Sequence, residues 1–238
     1  MSNPMSQQSA GTYASDVARD ERVAAFLNKV YSWMFLGLGL TAAVAYGVAS
    51  SPTLVNALIS NQIVFLVVLL APIIFVVLIR SKAETLSPPV AATLFATYAA
   101  LNGVTFSVVL LAYTATSVAS TFLATAGAFG GLALYGTFTK RSLSGVGQFA
   151  VMGLFGLLIM MLVSFFVHRS TLEFVITVVG IVVFTCLTAY RAQELKSMAL
   201  ALPDDKVGTY SIVGALGLYL AFVNLFLMLL RLMGNRRS

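Results

Sequence analysis

The chain has 238 residues, 59% of them hydrophobic and only 9% charged, with a mean hydropathy of +0.95. A soluble domain carries roughly a quarter charged residues, so this composition excludes a soluble core and points to a protein that crosses a membrane several times. The net charge of +6 does not describe a nucleic-acid-binding face, because Lys and Arg are spread through short loops in the manner of topology signals.

Taken in order, residues 1–29 form a polar N-terminal tail with no apolar run for a cleavable signal, and their composition predicts partial disorder. Residues 30–233 carry seven apolar runs, at 30–50, 62–79, 90–112, 115–137, 146–167, 172–190 and 210–232. Each is near spanning length, and backbone polar groups in lipid must be satisfied within the segment, so all seven are predicted helices. Residues 234–238 form a basic C-terminal tail. The connections, such as Ser51 to Asn61, leave no room for a separate soluble domain. The fold class is therefore an all-α membrane protein.

Ten of the fourteen basic residues fall on the side that receives the N-terminus, which predicts a cytoplasmic N-terminus. Arg231, Arg236 and Arg237 sit on the other side. They raise the alternative that the last segment enters and returns, although its full length favours crossing. Packing marks are frequent. Gly127 with Gly131, and Gly153 with Gly156, suggest close helix contacts, and Pro72 should kink the second span. Tyr98, Asn102 and Thr105 make a polar stripe, open to reading as packing or as the lining of a wet path. In the last span, Gly214, Gly217, Ala221, Asn224, Met228 and Arg231 share one helical face, which places that helix inside the bundle.

Chemistry is sparse. None of the eight acids lies in the middle of a predicted span, where an ion-coupled carboxylate is expected. The single histidine, His168, stands at a span end with Ser164 one turn earlier and reads as an interfacial residue. One His and one Cys (Cys186) cannot make a metal site, and no nucleophile has a base in reach. No enzyme activity, cofactor or metal is expected. The polar groups that remain are Arg80 at the end of the second span, and Arg191 with Glu194 one turn apart at the end of the sixth.

Four stretches resemble the Bax inhibitor-1 family of seven-helix membrane proteins, and its bacterial branch most closely. They are VYSWMFLGLGLTA (30–42), LYGTFTKRSLSGVG (134–147), VFTCLTAYRAQELK (183–196) and YSIVGALGLYLAFVNLFLMLLRLMGNRR (210–237). The resemblance implies a bundle with the seventh helix central and six others around it. It also implies a proton-gated calcium leak and, in some bacterial relatives, modulation of a membrane-bound protease. The family's gate is attributed to two aspartates, in a TAYD motif of the sixth helix and a YLDF motif of the seventh, with an arginine of the second helix latching onto them. Here those aspartate positions are Arg191 and Ala221, and the acid usual after the Lys-Arg pair of the fourth loop is Ser142. Two carboxylates sharing a site owe their proton sensitivity to mutual repulsion, so the sensor is missing.

The candidate gate or ion-path residues are therefore Arg80, Arg191, Glu194, Ala221 and Asn224. If Arg80 is the latch, it now meets a like charge at Arg191, and Glu194 is placed to pair with either. Two readings stay open. One is an inner-membrane ion-leak or homeostasis protein, with calcium or protons as its ions, that has lost its gate. The other is a membrane-embedded modulator of a protease or quality-control partner, without transport. Both have the lipid bilayer as a partner and no nucleic acid.

Overall fold

A computed structural model describes the backbone at 4–164, 166–167 and 169–237, and side chains from residue 17 onward apart from residue 65 within that range. His168 lies outside the described residues. Eight α-helices follow in order: α1 (Pro4–Ala49), α2 (Pro52–Ser60), α3 (Gln62–Ser81), α4 (Pro88–Ala112), α5 (Ala115–Phe138), α6 (Ser144–Ser164), α7 (Ser170–Ala201) and α8 (Val207–Met233). A single 3-10 turn, Asp204–Lys206, joins α7 to α8. Among the described residues seven segments are long and apolar enough to cross a membrane: Val17–Ala49 of α1, then α3 through α7, and Asp204–Met233 around α8.

The bundle is built on α8. In its apolar window 67% of residues are buried, against 12% to 44% in the other six. Lipid accepts an apolar face as readily as protein does, so it is the small and polar residues of α8 that call for helix neighbours, and it touches α1, α3, α4, α5 and α7. Helix α6 packs mainly on α7, and its Ala150 and Leu157 share a buried cluster with Leu225 and Met228 of α8. The face of α8 opposite its small-residue seam is core as well, with Leu216, Tyr219, Val223 and Phe226 buried. Phe222 makes edge contacts with Phe122 and Phe129 of α5, ring centroids 5.4 Å apart in each case.

Several elements differ from the hydropathy reading. Helix α1 begins far ahead of its apolar run, because Val23, Phe26, Leu27, Val30 and Met34 recur at helical spacing and are all buried. The second half of the polar tail is thus part of a packed helix. The 51–61 connection is mostly helix α2, opened by Pro52. Asn61 then caps α3, its side-chain oxygen accepting from the Ile63 and Val64 amides at 3.0 and 3.2 Å. Helix α3 continues through Pro72 as one element.

The small residues sort differently from their motif. A Cβ on Gly127, Gly131 or Gly156 would meet nothing within 4 Å, so those glycines do not mediate helix contacts. Close approach occurs instead at Gly136, where a Cβ would run into the Ala189 carbonyl of α7, and at Gly103, where it would fall 2.8 Å from the Thr41 carbonyl of α1.

The ends of α8 match the ends of α4. At its start the Thr209 hydroxyl donates to the Leu86 carbonyl at 2.9 Å. Past its finish the Thr114 amide donates to the Asn235 carbonyl at 3.1 Å, and the Arg237 amide to the Ala112 carbonyl at 3.0 Å. Helix α8 therefore runs the full length of α4 and does not turn back.

Candidate functional site: an arginine-lined pocket between α3, α7 and α8

The apolar run of the sixth span stops at residue 190, but α7 continues as a helix to Ala201. Arg191 and Glu194 are therefore held on a helical turn rather than in a loop. Arg191 Nη1 donates to Glu194 Oε2 at 2.5 Å, both side chains half-buried. Leu195, on the same side of α7, presses against Gly214 of α8, where a Cβ would sit 2.5 Å from its methyl. Small residues on α8 thus set the distance between the two helices.

Arg80 arrives from the last turn of α3. Its Nη2 lies 3.8 Å from where a Gly217 Cβ would be, so the bare backbone of Gly217 forms the wall beside it. Together these groups line a cavity of about 320 Å³, with Tyr210 and Met198 also on its walls and Glu84 at its margin. Among the described residues Arg80 makes no hydrogen bond and no ion pair. Glu194 is the carboxylate paired inside, and it is held by Arg191.

The structure thus brings Arg80, Arg191 and Glu194 together and leaves Ala221 and Asn224 out. Ala221, one turn past Gly217, is buried in packing. Asn224 turns its amide back on α8, donating to the Leu220 carbonyl at 2.7 Å. Ser142 stands in the α5–α6 loop, its hydroxyl 2.9 Å from that of Ser144. Lys140 and Arg141 are exposed in the same loop.

Around the other flank of α8 the interior is filled. Tyr98, Phe95 and Tyr219 are all essentially inaccessible, with Tyr98 and Tyr219 rings 5.4 Å apart and Phe95 and Tyr219 5.9 Å apart. Thr41 Oγ1 is 2.9 Å from both the Gly37 and Ala99 carbonyls and 2.7 Å from the Tyr219 hydroxyl. Its single hydrogen is shared between two carbonyls, so Tyr219 donates to Thr41. Of the Tyr98–Asn102–Thr105 stripe, Tyr98 belongs to this aromatic layer, Thr105 bonds back along its own helix at 3.4 Å, and Asn102 keeps a buried amide nitrogen without a partner.

Other polar residues do structural work that sequence reasoning did not find. Gln193 accepts from the Leu143 amide at 2.7 Å and donates to the Arg141 carbonyl at 2.8 Å, clamping the α5–α6 loop to α7. Lys196 donates to the Thr137 carbonyl at 3.0 Å, at the C-terminal end of α5. Arg22 of α1 donates to the Ala199 carbonyl at 2.9 Å and to the Leu202 carbonyl, closing the end of α7. The available signal was polar residues that keep helical spacing beyond the apolar run.

A family model described as "Inhibitor of apoptosis-promoting Bax1" matches residues 23–238. The chain is 43% identical over 215 residues to the Inner membrane protein YbhL of Escherichia coli (strain K12), covering 89% of this chain and 92% of that protein. It is 38% identical over 220 residues to the protein RP147 of Rickettsia prowazekii (strain Madrid E), covering 92% and 93%. To the membrane protein SpyM3_0260 of Streptococcus pyogenes serotype M3 it is 32% identical over 212 residues, covering 88% and 92%.

Proposed function

The chain belongs to the Bax inhibitor-1 family, and from that premise we propose that it is an inner-membrane ion-leak or homeostasis protein that is not gated by protons. The observation that carries this reading is the 2.5 Å pair between Arg191 and Glu194, with Arg80 as the second cation of the same pocket. A carboxylate pair would attract a divalent cation and release it on protonation; here the carboxylate of Glu194 is already held by Arg191, and Arg80 beside it repels a cation. Guanidinium stays charged at every physiological pH, so Arg80 and Arg191 provide no titrating switch. The ten Lys and Arg on the first part of α1, around the α3–α4 and α5–α6 loops and from the end of α7 to Lys206 support a cytoplasmic pocket and N-terminus. The proposed role is non-enzymatic.

The second reading is a membrane-embedded modulator of a protease or quality-control partner that transports nothing. The filled layer of Phe95, Tyr98 and Tyr219 favours it, since this layer leaves no passage along that side of α8. Calcium flux into liposomes at about pH 6 and about pH 8 tests the main reading, because a carboxylate pair titrates toward that window and an arginine pair does not. The expected fluxes are equal within about twofold, and a rise of tenfold or more with acid overturns the proposal.

A further inference from the structure

We propose that the pocket between α3, α7 and α8 is an oxyanion site that takes a phosphate group. Arg191 spends one Nη on Glu194 and keeps its other N–H donors, whereas Arg80 has all five unengaged among the described residues. Two guanidinium forks on one cavity match the oxygens of a phosphate, which each can bind bidentately. The bare backbone at Gly214 and Gly217 leaves room for it, and about 320 Å³ exceeds what one such group fills. Of the nearby acids, Glu194 and Arg191 offset each other's charge, leaving Arg191 as a source of hydrogen-bond donors, and Glu84 is exposed at the margin, so Arg80 is the cation without an ion pair among the described residues. Lys206 adds a further cation there, its ammonium donating to the Glu84 carbonyl at 2.8 Å.

The group has two available sources, a phospholipid headgroup or a small soluble phosphate. Helix α3 packs on α2, α4 and α8, which leaves a gap toward α7. Ile73 and Val77, 57% and 60% exposed, share the α3 face that ends in Arg80. They offer an apolar track for an acyl chain, with the headgroup at the arginines, and basic pockets between spans take anionic headgroups in this way. The inference rests on the reading above in one respect: that the pocket repels cations rather than collecting them.

The test uses the full chain, purified in detergent and stripped of lipid. One arm counts retained phosphatidylglycerol against phosphatidylcholine by native mass spectrometry, and the other follows thermal stabilisation by inorganic phosphate. Binding in at least one arm, weakened about tenfold or more in Arg80→Gln, is expected, since one charge-assisted fork is lost. The arm that responds identifies the source. Gly217→Leu fills the cavity without removing a charge and is expected to abolish binding, so the test stands even if Arg80→Gln folds poorly. Binding in neither arm, or binding equal in wild type and both variants, overturns the site. No ion gradient is involved: acid-gated flux would overturn the functional reading alone, and a failed titration this inference alone.

Discussion

At the residue scale the decisive feature is what each small or polar side chain meets on the neighbouring helix. Gly127 and Gly131 have the spacing of a helix-contact motif and face open space, whereas Gly136 has no partner glycine at that spacing and seats the Ala189 carbonyl. Spacing along one helix cannot reveal which face the next helix covers, so the motif was readable and its use was not. Gly136→Ala is expected to destabilise the protein by about 1–3 kcal/mol, because backbone must move to admit a methyl. Gly127→Ala should leave stability unchanged or slightly raised, since Ala is the better helix former. Thermal unfolding of both variants in detergent checks this, and the opposite order would contradict the packing described. Thr41 gives a second case. Thr41→Val keeps the shape and removes the acceptor of a fully buried tyrosine hydroxyl. The expected loss is about 1–3 kcal/mol. Adding Tyr219→Phe should recover part of it, because both polar groups are then gone; equal losses in single and double variants would show that the bond is not made.

At the element scale, hydropathy located the spans well and their ends poorly. The sixth run ends at residue 190 because charged residues begin there, but α7 continues to Ala201 on the strength of Leu195 and Ala199, both buried. The same reason hid the early start of α1. This governs how much of the candidate site was legible. Arg80, Arg191 and Glu194 stood out as polar groups at span ends and do share a pocket. Its Gly217 wall, and the absence of Ala221 and Asn224 from its lining, depend on the rotation of α8 against α3, which no single segment encodes. The extended ends are tied down by cations on helix C-terminal carbonyls, where the macrodipole favours positive charge. Arg22 is the clearest example. Its ion pair with Asp204, at 3.1 Å, is widely exposed on the acid's side and contributes little, so the carbonyl contacts carry its effect. Arg22→Ala is expected to weaken the end of α7 by about 1 kcal/mol, accelerating amide exchange at 198–206 several-fold while α8 stays protected. Unchanged exchange there would mean that α1 does not cap α7.

At the scale of the whole molecule, the C-terminal strap answers the one ambiguity of the topology. Three terminal arginines on the sparsely charged side suggested a re-entrant last segment. Instead Asn235 and Arg237 bond to the α4–α5 turn, while Thr209 and Gly208 sit at the start of α4. Two helices of 25 and 27 residues matched end to end each rise about 37–40 Å, more than the hydrocarbon core, so if α4 crosses then α8 crosses with it. The position of Arg231, Arg236 and Arg237 is therefore a consequence of α8 being the central post, and ten of the remaining eleven basic residues still favour a cytoplasmic N-terminus. Cysteine labelling in intact cells tests both points. In a Cys186→Ser background, Arg237→Cys is expected to react with an impermeant maleimide from outside, and Lys82→Cys only after permeabilisation. Both exposed positions reacting from one side would mean that α8 fails to cross. The reverse pattern would keep the crossing and invert the protein, moving the arginine pocket to the outer face, where the anionic cytoplasmic leaflet could not supply its phosphate.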